Sequence, residues 1–156
     1  MAGEASTYRI DDEGIFRAPL EVFYPYSRTV GPHIGRFLTG LREGRIEGVR
    51  LADGRVLVPP PEVDPLTGET SDQWVTVAAE GVVESWSWVP EPVAAQPLDR
   101  PFAYALIRLD GTDSAMLHLV DAGSPDAISV GSRVRARWKD ERVGSLTDIE
   151  AFEVVS

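Results

Sequence analysis

"RPFAYALIRLDGTDSAMLHLVDA", residues 100–122, sets two apolar runs on either side of Asp110-Gly111. An aspartate-glycine pair between such runs is a strong hairpin signal, because glycine supplies the backbone conformation a tight turn needs. The spacing predicts strands over 102–109 and 114–120. Upstream, "QWVTVAAEGVVESWSWV" (73–89) predicts strands at Trp74–Ala78 and Val83–Val89, bent at Gly81. Downstream, "VGSRVRARWKD" (130–140) places Val134, Ala136 and Trp138 on one face and Arg133, Arg135 and Arg137 on the other. "SLTDIEAFEVV" (145–155) supplies a fifth strand, or a short turn and strand that close the sheet.

Short strands with glycine bends suit a small closed barrel, and the OB-fold is the commonest five-stranded solution. The proline-rich stretch "PEPVAAQPLDRP" (90–101) then becomes a loop joining two barrel strands.

Ahead of the barrel, "VRLADGRVLVPPPEVDPLTGE" (49–69) has the layout of a zinc ribbon: a glycine turn, a hydrophobic strand, a proline run and a second glycine turn. The positions that would carry C-x2-C twice read Arg50, Asp53, Asp64 and Thr67, and the chain has no cysteine. Structural zinc wants four well-placed sulfur or nitrogen ligands, which these residues do not supply. Two carboxylates favour a hard cation only weakly, and Arg50 opposes any cation. The expectation is a ribbon without metal, braced by Arg50 among Asp53 and Asp64 and by Pro59-Pro60-Pro61. No cofactor is expected, and no zinc.

Before the ribbon, Gly31-Pro32 can open a helix, with Ile34, Phe37, Leu38 and Leu41 at helical spacing over 32–41. A short helix led by Phe23, Tyr24 and Tyr26 cannot bury itself and needs a surface to lie on. Residues 1–18 are polar and acidic, an arm expected to be extended or disordered when free. The chain divides into an arm (1–19), a helical docking segment (20–47), a degenerate ribbon (48–72) and a barrel (73–156).

A formal charge of −10 disfavours nucleic acid and anionic membrane over most of the surface. Without cysteine there is no disulfide, thiol catalysis or thiolate-held metal, which fits a cytoplasmic protein. No apolar run is long enough for a membrane span, and the first residues lack a signal-peptide layout.

The order of helix, ribbon and barrel resembles the zinc-ribbon/OB-fold family known as domain of unknown function 35. The resemblance rests on "YSRTVGPHIGRFLTGLREGRIEG" (26–48), "DGRVLVPPPEVDPLTGE" (53–69), "GVVESWSWV" (81–89), "PFAYALIRLDGTDSAMLHLV" (101–120), and "VGSRVRARW" followed by "LTDIEAF" (130–152). It implies a mainly β protein with an N-terminal helix, and a non-catalytic accessory subunit that completes a thiolase-superfamily enzyme acting on acyl-CoA. The segment 26–48 is most similar to partners of the lipid-transfer-type aldolases that cleave steroid side chains. Such a partner is usually a homodimer, which implies two copies of each chain. Tyr26, Arg28, Pro32, Ile34, Phe37, Leu38 and Leu41 are then candidates for the partner interface. Arg133, Arg135 and Arg137 are candidates for contact with coenzyme A or the partner.

Competing readings are a subunit of a thiolase-like acyltransferase and an OB-fold binder of single-stranded nucleic acid. The second would use the arginine row with Trp74, Trp86, Trp88 and Trp138 as stacking platforms. Alternation puts Trp138 opposite the arginines, toward the core, and Trp86 and Trp88 on one face with Glu84. Barrel filling is therefore the simpler role for the tryptophans. His33 and His118 fit no Ser/His/Asp spacing, nucleophile elbow or phosphate loop, so the chain is not expected to be an enzyme on its own.

Overall fold

The computed structural model describes residues 9–17, 23, 25, 27 and 29–155. Within the acidic arm, residues 9–17 form a small hairpin of β1 (Arg9–Ile10) and β2 (Phe16–Arg17) rather than free chain. The Asp11 carboxylate accepts from the backbone N–H groups of Glu13 and Ile15 and so closes the turn. The rest of that arm lies outside the described residues.

Helix α1 (Pro32–Arg42) starts at the proline and runs one residue past the expected end. Gly31 precedes it at φ 86°, and no neighbouring side chain caps it. The cap comes from the ribbon instead: the Glu62 carboxylate accepts from the N–H of His33 (3.1 Å) and of Ile34 (3.2 Å). This satisfies helix N–H groups that have no partner inside the helix.

Strands β3 (Ile46–Arg50), β4 (Val56–Leu57) and β5 (Trp74–Val77) form a three-stranded sheet in the order β4-β3-β5. Here the structure departs from the sequence reading, which put the Trp74 strand in the barrel. Trp74 pairs with Val49 and Val77 with Ile46, so the strand belongs to the ribbon. Local alternation shows that a strand exists but not which distant strand it meets.

The barrel is built from β6 (Glu80–Val89), β7 (Phe102–Leu109), β8 (Ala115–Asp121), β9 (Arg133–Trp138) and β10 (Ile149–Val154). It closes in the order β10-β8-β7-β6-β9, with β8 and β10 parallel and the other pairs antiparallel. The fold is thus mainly β, a closed five-stranded OB barrel with an N-terminal helix. Gly81 sits where β6 pairs with both β7 and β9, and a Cβ there would lie 2.3 Å from the Arg108 carbonyl oxygen. Only glycine permits that approach.

A bulge between Val83 and Ser85 resets the alternation of β6. Val83, Trp86 and Trp88 pack into or against the core, while exposed Glu84 turns out to pair with Arg108 (2.5 Å). The expectation that Glu84 shares a face with the two tryptophans is corrected by that one extra residue.

Helix, ribbon and barrel share one hydrophobic core, in which Phe37 and Leu41 of α1, Ile46 and Val58 of the ribbon and Ile107 and Phe152 of the barrel are all fully buried. The turn between β7 and β8 reaches across to the ribbon. Asp113 accepts from the Val56 N–H through its carboxylate and donates its own N–H to the Val56 carbonyl, each at 2.8 Å. The Ser114 hydroxyl accepts from the Val58 N–H (2.8 Å) and donates to its carbonyl (2.9 Å). These two residues stitch the turn to the backbone of β4 and Val58, with three of the four bonds made by their side chains.

Candidate functional site

Four places carried expectations: the helix stripe, the ribbon positions, the arginine row and the histidines. The structure gives each a specific environment.

In α1, Phe37 and Leu41 are consumed by the shared core, and Leu38 packs against it. Phe37 and Leu41 hold the helix to its own chain and are not free for a partner, which corrects their place in the expected interface. Pro32 is exposed and Ile34 and Leu38 half-buried, so these three remain at the surface. Tyr26 and Arg28 lie outside the described residues.

Arg50, Asp53, Asp64 and Thr67 do not form the expected cluster. Arg50 turns away and donates to the Gly54 carbonyl at 2.9 Å. The guanidinium that meets the carboxylates belongs to Arg55, with Nε 2.6 Å from Asp53 and Nη2 4.0 Å from buried Asp64. Arg55 Nη2 is itself buried without a hydrogen bond. The turn geometry explains the exchange: Asp53 also accepts from the Arg55 N–H, two residues on, so the side chain that follows the glycine is drawn in. Thr67 accepts from the Glu69 N–H and lines, with Asp64, a small polar groove of about 310 Å³. Among the described residues no group of three or more histidines, aspartates or glutamates is placed to hold a metal ion.

The arginine row faces carboxylates of its own chain. Arg133 makes a two-pronged contact with Asp110, both prongs at 2.7 Å. Arg135 bonds Glu80 at 2.8 Å. Arg137 reaches Glu150 (2.6 Å), Asp121 (3.1 Å) and Glu153, and its hydrogen bond to Glu150 leads the causes that hold its pKa above the usual arginine value. An anionic ligand would have to displace these partners, so the row is not an open cationic patch. The tryptophans are likewise engaged: Trp86, Trp88 and Trp138 pack on the core, and Trp74 stands between His33 (ring centroids 5.1 Å apart) and the Arg36 guanidinium (4.3 Å from its ring).

Both histidines lie within hydrogen-bond reach of backbone carbonyls of their own chain. His33 Nδ1 lies 2.6 Å from the Pro61 carbonyl oxygen. His118 Nε2 lies 3.1 Å from that of Leu146, and burial pushes the His118 pKa below the ordinary histidine value. His118 also lines a groove of about 500 Å³ on the barrel surface, together with Tyr104, Lys139 and Glu150.

One surface that the residue patterns did not single out is apolar. Leu106 and Leu117 lie opposite each other on β7 and β8, pointing out of the barrel, 42% and 62% exposed. Next to them a groove of about 500 Å³ runs between the 90–101 loop and the 139–148 segment, lined by Pro97, Leu117, Leu119 and Leu146, with Lys139 and Glu150 as its charged members. The signal was present in the sequence: "FAYALIRL" is apolar on both faces, as in strands covered on both sides. No helix of the described residues is long and apolar enough to cross a membrane.

Comparison with known proteins agrees with this architecture. Residues 74–139 match the family model described as ChsH2, C-terminal OB-fold domain. The whole fold is similar to a protein of unknown function from the DUF35 family of Sulfolobus solfataricus, with 19% identity and a TM-score of 0.62 over 81% of this chain and 85% of that one. It is equally similar to a chain of the Ltp2-ChsH2(DUF35) aldolase, at 20% identity and a TM-score of 0.62, covering 82% of this chain and 98% of that one. Identities this low speak for the shared fold. No curated protein matches the sequence significantly. The resemblance to the zinc-ribbon/OB-fold family is borne out by these matches.

Proposed function

With its barrel matched to the C-terminal OB-fold domain of ChsH2, we propose that this protein is a non-catalytic accessory subunit of a thiolase-superfamily enzyme acting on an acyl-CoA. The partner reaction we favour is the retro-aldol cleavage of a steroid side chain. The observation that carries the reading is the likeness to a chain of an aldolase complex over 98% of that chain and 82% of this one. Two features of the site support it. The arginines are paired within the chain and both histidines lie against backbone carbonyls of their own chain, which favours holding a partner over chemistry of its own. The exposed Leu106–Leu117 pair and the adjoining apolar groove offer a docking surface, since contiguous apolar patches on soluble proteins mark interaction sites.

In this reading the subunit acts by position. Binding energy at the apolar face holds the partner's active-site loops and acyl channel in their working geometry, while the reacting groups lie in the other chain. The nucleic-acid alternative loses its basis because the arginines are paired and the indoles packed.

The test is a tagged pull-down from the native host, weighed by native mass spectrometry, with metal content read on the same sample. The expected result is a thiolase-superfamily chain in fixed ratio, two copies of each, without zinc. Leu117→Glu is expected to abolish that recovery while leaving the fold intact, because Leu117 is exposed. Recovery of the protein alone, or with nucleic acid, would overturn the reading.

A further inference from the structure

The edge of β6 carries an inference independent of that function. β6 is paired with β7 from Gly81 to Val89, but its pairing with β9 covers only Glu80–Val82. At Val83 the other side is closed by backbone bonds to Gly131 and Ser132. Beyond the bulge, among the described residues, Ser85–Val89 has no strand on the side away from β7. Such an edge presents unpaired N–H and C=O groups, and proteins normally guard it with lysine, proline, inward-pointing charge or a bulge. Here the bulge lies before Ser85, and "SWSWV" itself carries no lysine, proline or charge, the next proline standing at position 90. Ser85 and Ser87 are exposed, so the edge is open to solvent.

We propose that this edge pairs with the same edge of a second copy, antiparallel, about a two-fold axis through Ser87. The sequence is nearly self-complementary in that register. Trp86 of one copy meets Trp88 of the other twice over, and Ser85 meets Val89. Aromatic pairs directly across an antiparallel ladder are among the favourable ones. Glu84 falls opposite Pro90 rather than another carboxylate, so the pairing sets no like charges face to face despite the −10 charge of each chain. A two-fold interface needs one self-complementary patch, which this segment is.

The absence of cysteine makes the register directly testable. In the two-fold arrangement the two Ser87 Cα atoms lie about 4.5–5.5 Å apart, inside the range a disulfide spans. The two Ser85 Cα atoms lie about 13 Å apart, beyond it. The isolated 156-residue chain is expected to run at twice its 17.0 kDa mass by light scattering at micromolar concentration. Ser87→Cys is expected to form a disulfide-linked dimer under mild oxidation, with Ser85→Cys remaining unlinked. Ser87→Lys, which sets two ammonium groups across the axis without touching the core, is expected to weaken the dimer at least tenfold. A monomer, equal cross-linking at both positions, or a dimer seen only after removal of residues 1–28 would each overturn the proposal. Because the partner enzyme is absent from the experiment, failure here leaves the accessory-subunit reading standing, and success does not establish it.

Discussion

Glu62 holds the first turn of α1 from 29 positions away, because Gly31 offers no side chain for the task. Glu62→Ala is expected to lower stability by about 1–2 kcal/mol, the usual cost of losing a helix cap, seen as a lower denaturant midpoint with an unchanged slope. Arg55 is the second such residue. Its removal takes the guanidinium away from Asp64, 6% exposed, and Arg55→Ala is expected to lower the denaturant midpoint. Arg50→Ala, removing a side chain that only bonds an exposed turn carbonyl, is expected to stay within about 0.5 kcal/mol. The contrast between the two variants reports which guanidinium braces the ribbon. The sequence placed a basic residue among the ribbon carboxylates but chose the wrong one. Spacing against a zinc-ribbon ligand pattern marks positions, whereas the hydrogen bond from the Arg55 N–H to Asp53 depends on how the turn closes.

Among the elements, most strands were legible because alternation and turn residues are local signals. The β7–β8 hairpin appears where Asp110-Gly111 predicted it, and β9 shows the expected division between Val134 and Ala136 inside and the arginines outside. Three features were not legible, each for a reason of range. The partner of the Trp74 strand is set by contacts with Ile46 and Val49, far back in the chain. The bulge at Glu84 adds a residue that no local alternation reveals. The apolar stripe of α1 was readable, but which surface it covers depends on the whole shared core. The stitch between the β7–β8 turn and β4 belongs to this scale. Val56 and Val58 are almost fully buried, so removing the groups that satisfy their backbone leaves polar atoms stranded. Ser114→Ala is expected to cost about 1–3 kcal/mol and to raise amide exchange selectively in the ribbon, measured by hydrogen–deuterium exchange.

For the molecule as a whole, the direction of the pKa shifts sets the response to acid. Burial holds the His118 pKa down, against the pull of its two carbonyl contacts, so the unfolded chain takes up a proton there before the folded one does. Stability from this group is complete above the unfolded value near 6.5 and is lost as pH falls through the lower folded value. Glu47 is held low chiefly by its hydrogen bond from Arg36. At Asp148 burial works against the charge, but backbone donors from Val143, Ser145 and Gly144 prevail. Their stabilisation is present above the unfolded carboxylate range near 4 and is lost as pH falls through the folded values. Urea unfolding across pH should therefore show two descending stages, and His118→Gln is expected to flatten the upper one while leaving the lower.

The contact of Asp113 and Ser114 with the ribbon has an evolutionary corollary. Where a metal-binding loop depends on its ion for shape, every ligand is under purifying selection, since losing one unfolds the loop. A loop fastened by a neighbouring hairpin, chiefly through side-chain bonds to its backbone, is released from that constraint. The loop that carries Arg50 and Thr67 is then expected to keep its shape when a metal chelator is added, which amide exchange in residues 49–69 would report.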